Sequence, residues 1–433
     1  MTKRRRRLLI AALTIIPLLL VIGLWAFYDA PPPDDADLRI TYTPIPDDEN
    51  AFTYFNRAAD ALVWPSYTNA HDRPGRLLDD NGWDEARAAD LVAQNDGLFD
   101  VIEQGLGCSR CLMPQMETID TPVSYRQRFE NMATLGAIRA ESLFRGRRER
   151  EAFDQAMQVV RYGRKVQQGS GALVHHSSAV RIKQIGLKQI RRMLVRTTLL
   201  ADELRPLIGE LETCRGSDDA FTWALRTEYK LGCRAVDDLK RGRLTLDDLW
   251  ERATAAPLRL MMLKRNKTKR LFAATYGRLI ADAAKPGGAA WLPEPRHGAE
   301  SVYMLRLFLS GNGLGLYMRD GLAAPLALAR WQKCRDNTVI GATQALIALK
   351  CYRSKYGGLP DGLAELVPEF LDAVPTDDFD GQPLRYSQAK EIVYSVGPDF
   401  TDDGGVTTSR TLSATLYGGG DEVFELNPRQ ERP

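Results

Sequence analysis

The chain has 433 residues, of which 44% are apolar and 26% are charged, and this composition excludes an intrinsically disordered protein. Its formal net charge of +2 includes five basic residues at positions 3–7. Removing those five leaves 53 basic and 56 acidic side chains, a net charge of −3, which gives no general attraction to nucleic acid. We therefore expect no nucleic-acid partner.

An uncharged apolar run over Leu8–Tyr28 predicts a transmembrane helix. Its 21 residues would span roughly 30 Å as a helix, the thickness of the hydrocarbon core. Basic residues precede the run and Asp29 follows it, so the positive-inside rule places the N-terminus in the cytoplasm. Bulky Phe27 and Tyr28 stand where a cleavage site needs small residues, which favours a retained anchor over a cleaved signal peptide.

The compartment follows from that orientation. We predict a single-pass, signal-anchored protein of the bacterial cytoplasmic membrane that contacts the lipid bilayer through residues 8–28 and has its bulk in the periplasm. The Pro- and Asp-rich residues 29–49 are expected to form a semi-rigid, solvated spacer that lifts the folded part off the membrane.

The rest of the chain divides into two parts that differ in their sequence patterns. Residues 50–321 are expected to form an irregular helical domain, and residues 322–433 a long helix with a small C-terminal module. Apolar residues at helical spacing predict the principal helices of the domain, the first of them capped by Asp47, Asp48 or Asn50. These helices are Ala51–Leu62, Trp83–Leu106, Tyr125–Phe144, Glu149–Gln167, Ala172–Arg196, Ala201–Cys214, Asp218–Arg241, Thr245–Thr254 and a further one ending at Ala283.

The helices Tyr125–Phe144 and Glu149–Gln167, joined by a charged turn at Gly146, form the clearest helical hairpin. Their sequence resembles a single tetratricopeptide-like hairpin, which implies a surface for peptide binding. No 34-residue repeat is evident elsewhere, so a regular solenoid is not supported.

Cysteine and histidine offer few candidates for chemistry. The six cysteines include one C-x-x-C pair, Cys108 and Cys111, which we interpret as structural, with metal and redox roles left open. A second pair of ligands is missing, because the four histidines are scattered. The adjacent His175 and His176 do not share a helix face and are expected to be structural.

A long helix is predicted at Leu322–Tyr356, and after it the sequence pattern changes from long helices to short elements and turns. A short helix at Asp361–Val367 and a loop containing Asp377, Asp378 and Asp380 precede three short predicted strands. The strands are Leu384–Tyr386, Glu391–Ser395 and Val423–Leu426. The predicted fold class is thus mostly α, with a small α+β module and a short antiparallel sheet at the C-terminus.

This C-terminal module resembles the C-terminal half of the major pseudopilin of type II secretion. The resemblance covers about 60 residues and rests on three stretches: ALIALKCYRSKYGGLPDGLAEL, VPTDDFDGQPLRY and IVYSVGPDFTDDGG. In that family a helix leads into a Pro- and Asp-containing loop, a short sheet and a Tyr-Ser-x-Gly-x-Asp turn that binds calcium. The resemblance therefore implies a calcium-stabilised module.

The N-terminal part departs from the pseudopilin pattern. It has no processed leader with a Phe-Thr-x-x-Glu-like start, and some 300 residues separate the apolar run from the module. We therefore do not expect the chain to polymerise as a pilin. The whole layout also resembles large uncharacterised membrane-anchored proteins of planctomycete type, in which a helix start like Glu49-Asn50-Ala51 opens a helical domain.

The candidate metal site lies in the acidic turn of the module. Asp399 matches the Gly-x-Asp position of the pseudopilin turn, and Asp402 and Asp403 follow it. Three carboxylates in five residues repel one another unless a cation or solvent intervenes, and Ca²⁺ accepts irregular oxygen-rich loops. Asp421 is a further candidate ligand, and a solvated turn without an ion is the alternative.

The function predicted from the sequence is a structural or protein-interaction role with an unknown protein partner. No zinc-protease, nucleophile-elbow, P-loop or dinucleotide motif is present, so we expect a non-enzymatic protein. Two alternatives remain: a peptide-binding helical module, and an enzyme whose carboxylates meet only in three dimensions.

Overall fold

The computed structural model describes residues 13–21, 23, 28–66, 73–79, 81–243, 262–289, 300–407 and 420–427. These residues are mostly helical and include one three-stranded antiparallel sheet near the C-terminus, which confirms the predicted fold class at that level.

The predicted anchor lies largely outside the described residues, although its described stretch 13–21 is helical. In the part of the chain that the structure describes, no helix is both long enough and apolar enough to cross a membrane. The predicted helix Thr245–Thr254 also lies outside the described residues.

Six helices build the first half of the folded body. Asn50 caps the first of them as predicted, because its side-chain oxygen accepts a hydrogen bond from the backbone N–H of Phe52 at 3.1 Å. The helices are α1 (Ala51–Ala61), α2 (Glu85–Ala93), α3 (Gly97–Gly107), α4 (Tyr125–Arg145), α5 (Glu149–Gln167) and α6 (Leu173–Arg196).

The single helix predicted over Trp83–Leu106 is wrong, because the chain breaks between α2 and α3. Asn95 causes the break: its side-chain amide donates to the carbonyls of Val63 (3.0 Å) and Leu91 (2.8 Å) and accepts from the Val63 N–H (2.8 Å). A polar side chain that pairs with distant backbone competes with the helical ladder. Apolar periodicity alone does not reveal that competition.

Helices α4, α5 and α6 pack as an antiparallel layer, and α6 lies against both of the others. Small residues on α5 and α6 permit the close approach. A Cβ on Gly163 would lie 2.6 Å from Lys183 Cγ, and a Cβ on Gly186 would lie 2.8 Å from Val160 Cγ2. The outer surfaces of the α4–α5 hairpin are covered by α1, α2 and α3.

The body continues through α7 (Ala201–Leu204), α8 (Pro206–Thr213), α9 (Asp218–Lys240) and α10 (Arg265–Ala281). The spacer expected after the anchor is wrong over residues 29–42, because this segment is docked on the body. Leu38 is 3% exposed and belongs to the core around Phe221 and Tyr276. The Tyr42 hydroxyl donates to the carbonyl of Met113 at 2.7 Å.

Three further helices follow: α11 (Glu300–Leu309), α12 (Gly313–Gly321) and α13 (Ala323–Tyr356). Gly311 and Asn312 form the turn into α12, and residues 313–315 of the same glycine-rich stretch are its first turn. The long predicted helix is confirmed as α13, which ends where Gly357 takes a left-handed conformation with φ of 80°.

The C-terminal sheet has the order β1 (Arg385–Ser387), β2 (Ile392–Ser395) and β3 (Glu422–Glu425). Tyr386 pairs with Val393, and Val393 pairs with Phe424, so the apolar face of the sheet turns toward α13. The largest buried cluster draws residues from α5, α6, α13, β2 and β3. The module and the helical body therefore share one core.

Candidate functional site

The acidic turn connects β2 to β3 and is shaped by residues with positive φ. Gly397, Phe400, Gly404 and Gly405 have φ between 60° and 76°. At Gly397 an added Cβ would also lie 2.8 Å from the carbonyl oxygen of Gly420, so glycine is required there for both conformation and space. This backbone brings the turn and the start of β3 side by side.

Two of the predicted metal ligands are engaged with the backbone of the turn. The carboxylate of Asp399 accepts from the N–H of Thr401 (3.1 Å) and from the N–H of Gly420 (3.0 Å). Asp402 accepts from the N–H of Gly404 at 2.9 Å. Both residues therefore hold the turn in shape, as aspartates in turns commonly do.

Asp402 also faces a cation, whereas Asp403 is exposed to solvent. The second oxygen of Asp402 lies 3.5 Å from Nε of Arg385 on β1. Asp403 projects from the outer part of the turn. These two positions thus differ in environment although they are adjacent in sequence.

Asp421 is the buried member of the set, with 1% exposure. One carboxylate oxygen accepts from the N–H groups of Gly405 (2.6 Å) and Val406 (3.4 Å). The other oxygen, Oδ1, is buried and has no hydrogen-bond partner among the described residues. Burial, together with the nearby Asp402, raises the pKa of Asp421 above its ordinary value.

The four predicted ligands differ in their surroundings, and calcium binding at this turn stays a prediction. Among the described residues, no three His, Cys, Asp or Glu side chains lie close enough to share a metal ion. The buried, unpartnered oxygen of Asp421 does fit a Ca²⁺ ligand, because such an oxygen is costly to leave without a partner. Calcium held there would need backbone carbonyls and water as its further ligands.

The neighbouring acidic loop is saturated by the protein itself. Asp377 is fully buried and accepts from the N–H groups of Phe379 (3.1 Å) and Val396 (3.0 Å) and from the Ser395 hydroxyl (2.9 Å). Arg385 adds an ion pair at 3.1 Å. Asp377 therefore ties the loop to β1 and β2 as a structural anchor.

The other two aspartates of this loop are also engaged. Asp378 accepts from the side-chain amide of Asn337 at 3.0 Å, and Asp380 pairs with Arg385. These contacts agree with the interpretation of the loop aspartates as turn formers.

The C-x-x-C pair has the environment of structural thiols. All six cysteines are described and none forms a disulfide. Burial raises the pKa of Cys111 to about 12 and also raises the pKa of Cys108. Reactive cysteines need the opposite shift, so this geometry favours the structural role over a redox role.

The histidine pair is buried within the body. His175 accepts from the N–H of Ala172 at 3.0 Å and shares a 2.6 Å hydrogen bond with the hydroxyl of Tyr125. His176 is also buried, and burial lowers the pKa of each ring to about 4. Both rings are thus neutral near pH 7 and contribute to the core.

A buried ion pair that the sequence did not reveal connects α6 to α13. Lys183 and Asp336 are 0% and 1% exposed, and Nζ lies 2.5 Å from Oδ2 of Asp336. The ammonium group also donates to Gln167 Oε1 (2.8 Å) and to the carbonyl of Cys214 (3.2 Å), so all three of its protons are used. The pair therefore has a structural geometry rather than that of a free nucleophile.

The junction behind the predicted anchor is a second feature that the sequence did not reveal. Asp29 accepts from the N–H groups of Asn266 (2.9 Å) and Lys267 (3.0 Å), the first exposed donors of α10. Asp35 accepts from the hydroxyl of Tyr229 at 2.7 Å and pairs with Arg39 at 2.9 Å. No local sequence signal reveals this junction, because Asp29 and Asp35 lie far along the chain from Asn266 and Tyr229.

A cavity of about 490 Å³ lies between this docked segment and helices α9 and α10. Its charged lining is already paired: Arg39 with Asp35, and both Arg265 and Lys269 with Asp237. Lys230, also in the lining, pairs with Glu117 at 3.9 Å. Because these charged lining residues are paired, we interpret the cavity as the space left between the docked segment and the body.

Comparisons of this chain with protein-family models, with curated proteins and with solved structures return no match.

Proposed function

We propose that this chain is a single-pass membrane-anchored protein with a structural or protein-interaction role on the outer side of the bacterial cytoplasmic membrane. The apolar residues of the helical stretch 13–21 support an anchor, since Leu13 is 66% exposed and Leu20 is 62% exposed. A continuous exposed apolar surface of this kind is unfavourable in water and is typical of contact with lipid.

The observation that carries the proposal is the docking of the chain directly after this stretch. Asp29 caps α10, Asp35 pairs with Tyr229, and Leu38 is inserted into the core. An anchor followed by a solvated spacer would leave the body free to swing. The contacts of residues 29–38 with the body would limit such swinging, which suits a protein that presents a surface.

The polar groups of the body support a structural role over catalysis. The ammonium group of Lys183 donates three hydrogen bonds within the protein, and the carboxylate of Asp377 accepts from at least four groups. Charged side chains with complete internal partners hold helices and loops together. An enzyme with a carboxylate-based site is therefore the weaker alternative.

The peptide-binding alternative receives no support from the helical hairpin. The faces of α4 and α5 that a peptide would need are occupied by α6 on one side and by α1, α2 and α3 on the other. Of the described residues, the large exposed aromatics such as Tyr356 and Phe400 lie outside the hairpin. We therefore place any partner surface elsewhere on the body.

We further propose that the C-terminal module is pseudopilin-like and is stabilised by calcium at the acidic turn. The order of long helix, acidic loop, short sheet and acidic turn supports the resemblance. Asp421 supports the cation, because its Oδ1 is buried without a partner. Asp399 and Asp402 would shape the turn, and Asp403 lies at its exposed edge.

Alkaline carbonate extraction of membranes that contain the full chain tests the anchor. We expect the protein to stay in the membrane pellet and its body to be digested by protease added to spheroplasts. The matched control is Leu19→Arg, because an arginine at the centre of a spanning helix disfavours insertion by about 2.5–3.5 kcal/mol. Release of the unmodified chain by carbonate, or its protection in spheroplasts, would refute the proposed topology.

A further inference from the structure

We propose that helix α11 is a second membrane contact, which lies in the lipid interface beside the anchor and holds the body against the bilayer. This inference rests on the proposed membrane anchoring. The partner is the lipid surface of the same membrane, recognised by an apolar helix face and by neighbouring basic side chains.

The apolar character of α11 extends to its exposed face. Val302, Leu305 and Leu309 are 66%, 57% and 63% exposed, and their spacing of three and four residues places them on one side of the helix. Tyr303 and Leu307, on the opposite side, are 6% and 1% exposed. An exposed stripe of large apolar side chains on a helix is typical of a contact with another protein or with lipid.

The position of α11 follows from hydrogen bonds at the start of α10. Asn312, directly after α11, accepts from the backbone N–H of Lys264 at 2.7 Å and from the hydroxyl of Thr268 at 3.1 Å. Asp29, directly after the predicted anchor, accepts from Asn266 and Lys267 on the same helical turn. Asp29 and Asn312, which lies three residues beyond the end of α11, therefore lie at the same end of α10.

The short length of α11 limits how far the helix extends from this junction. Ten residues of helix extend about 15 Å, so no part of α11 is farther than that from its own C-terminal end at this junction. The ring of Tyr28 also lies 5.5 Å from Nζ of Lys267, an arrangement of aromatic and cation typical of the membrane interface.

Charge around the junction suits an anionic lipid surface. The stretch 264–270 has the sequence KRNKTKR, in which Lys264 is buried and the other four basic residues, Arg265, Lys267, Lys269 and Arg270, are at least partly exposed. Arg265 and Lys269 share the single carboxylate of Asp237, so the turn keeps a positive excess. Arg306 adds an exposed cation on α11 itself. Exposed basic side chains are attracted to anionic headgroups, and salt screens this attraction over about 10 Å.

The location of the exposed apolar stripe on α11 favours lipid over a protein partner. The stripe lies beside the point at which the chain leaves the bilayer, where lipid is present at all times and no diffusing partner is required. Interfacial helices combine an apolar face with basic residues in this way. We therefore assign the stripe to lipid rather than to a second copy of the chain.

The test uses the full chain in proteoliposomes that contain an anionic phospholipid. An environment-sensitive fluorescent amino acid is placed at position 302 or 305, and lipids brominated along their acyl chains serve as the quencher. We expect emission at both positions to shift to the blue and to lose most of its intensity in brominated lipid. Position 401, in the exposed acidic turn, is the matched control and should be unaffected.

A probe at position 19 separates this inference from the proposed anchor. Quenching at position 19 without quenching at 302 and 305 would overturn the α11 contact and leave the anchor intact. Quenching at 302 and 305 without quenching at 19 would support the α11 contact and refute the anchor. Blue-shifted emission at 302 without quenching would mean that protein covers the stripe, which also overturns the inference.

A charge substitution gives an independent readout. Leu305→Glu changes an exposed side chain, so we expect it to leave folding intact and to weaken quenching at position 302. The control Asp403→Lys, on the exposed turn, should leave that quenching unchanged. Equal quenching at position 302 in the Leu305→Glu variant would contradict the assignment of the stripe to lipid.

Discussion

Two acidic segments of this protein look alike in sequence and differ in the structure. Residues 29–49 and the acidic turn at 397–405 are both rich in aspartate and in proline or glycine. The first was expected to be solvated and the second to bind a cation. In the structure, the carboxylates of the first segment accept hydrogen bonds from the body. The second segment lies beside Asp421, a residue outside it and directly before β3, whose buried Oδ1 has no hydrogen bond among the described residues.

The difference shows that the number of donors decides what an aspartate does, rather than the number of aspartates. Asp29 accepts from three backbone N–H groups, including that of Ala30 at 2.8 Å. Asp421 accepts from Gly405 and Val406 through Oδ2, its carboxylate also lies near the backbone N–H of Asp403, and its Oδ1 makes no hydrogen bond of regular geometry among the described residues. A carboxylate whose two oxygens both accept hydrogen bonds stabilises a junction. A buried carboxylate with one unfilled oxygen favours a nearby cation, which Lys183 supplies to Asp336.

The largest loss of stability is expected when the buried ion pair between Lys183 and Asp336 is broken. Lys183→Met leaves Asp336 buried without its cation, and breaking such a pair by removing one partner costs about 3–5 kcal/mol. Denaturant unfolding followed by tryptophan fluorescence measures the loss.

The control for that variant removes both charges. In Lys183→Met/Asp336→Leu no charge is left unpaired, so we expect most of the lost stability to return. A loss below about 1 kcal/mol in the single variant would mean that water reaches the pair, contrary to the burial described here.

An intermediate effect is expected at the docked segment. Asp29→Ala leaves two N–H groups at the start of α10 without their acceptor and should cost about 1 kcal/mol, as for the loss of a helix cap. Hydrogen exchange of the first turn of α10 should become faster. The matched control is Asp34→Ala, an exposed position in the same segment, for which we expect a change within about 0.5 kcal/mol.

The smallest effect is an opposite dependence of stability on pH at the two segments. Burial raises the pKa of Asp421, so its contribution favours the folded state at low pH and is lost as the pH rises through its folded-state pKa. Burial acts on Asp35 in the same direction, but hydrogen bonds from Tyr229 and Arg39 outweigh it and hold its pKa below the ordinary value. Its contribution is therefore present at neutral pH and is lost as the pH falls.

Thermal unfolding between pH 3 and pH 7, with a chelator present, compares each variant with the unmodified chain. As the pH falls, the unmodified chain should gain stability relative to Asp421→Asn and lose stability relative to Asp35→Asn. The same slope for both variants would remove the distinction between the two segments.

Much of the fold could be predicted from the sequence, since regular periodicity reports local structure. The helices at Tyr125–Arg145 and Glu149–Gln167 and the long helix ending at Gly357 were predicted within a residue or two. The three short strands were also located. Turn residues and apolar spacing carry this information without reference to the rest of the chain.

The parts that could not be predicted depend on contacts between distant residues. Asn95 breaks a helix because it meets Val63, and Asp29 caps a helix that begins more than 230 residues later. Lys183 reads as one basic residue of a solvated face until Asp336 is placed against it. At the acidic turn, sequence favoured Asp399, whereas only the folded arrangement singles out Asp421.

The measurement that bears most directly on a calcium-stabilised exterior protein is a calorimetric calcium titration of the full chain in detergent. The account predicts binding with a dissociation constant of about 10⁻⁴–10⁻³ M, the range of extracellular modules. Binding should disappear in Asp421→Asn and persist in Asp403→Asn, which removes a charge from the exposed edge of the same turn. No heat of binding at millimolar calcium, or equal binding by the two variants, would contradict the account.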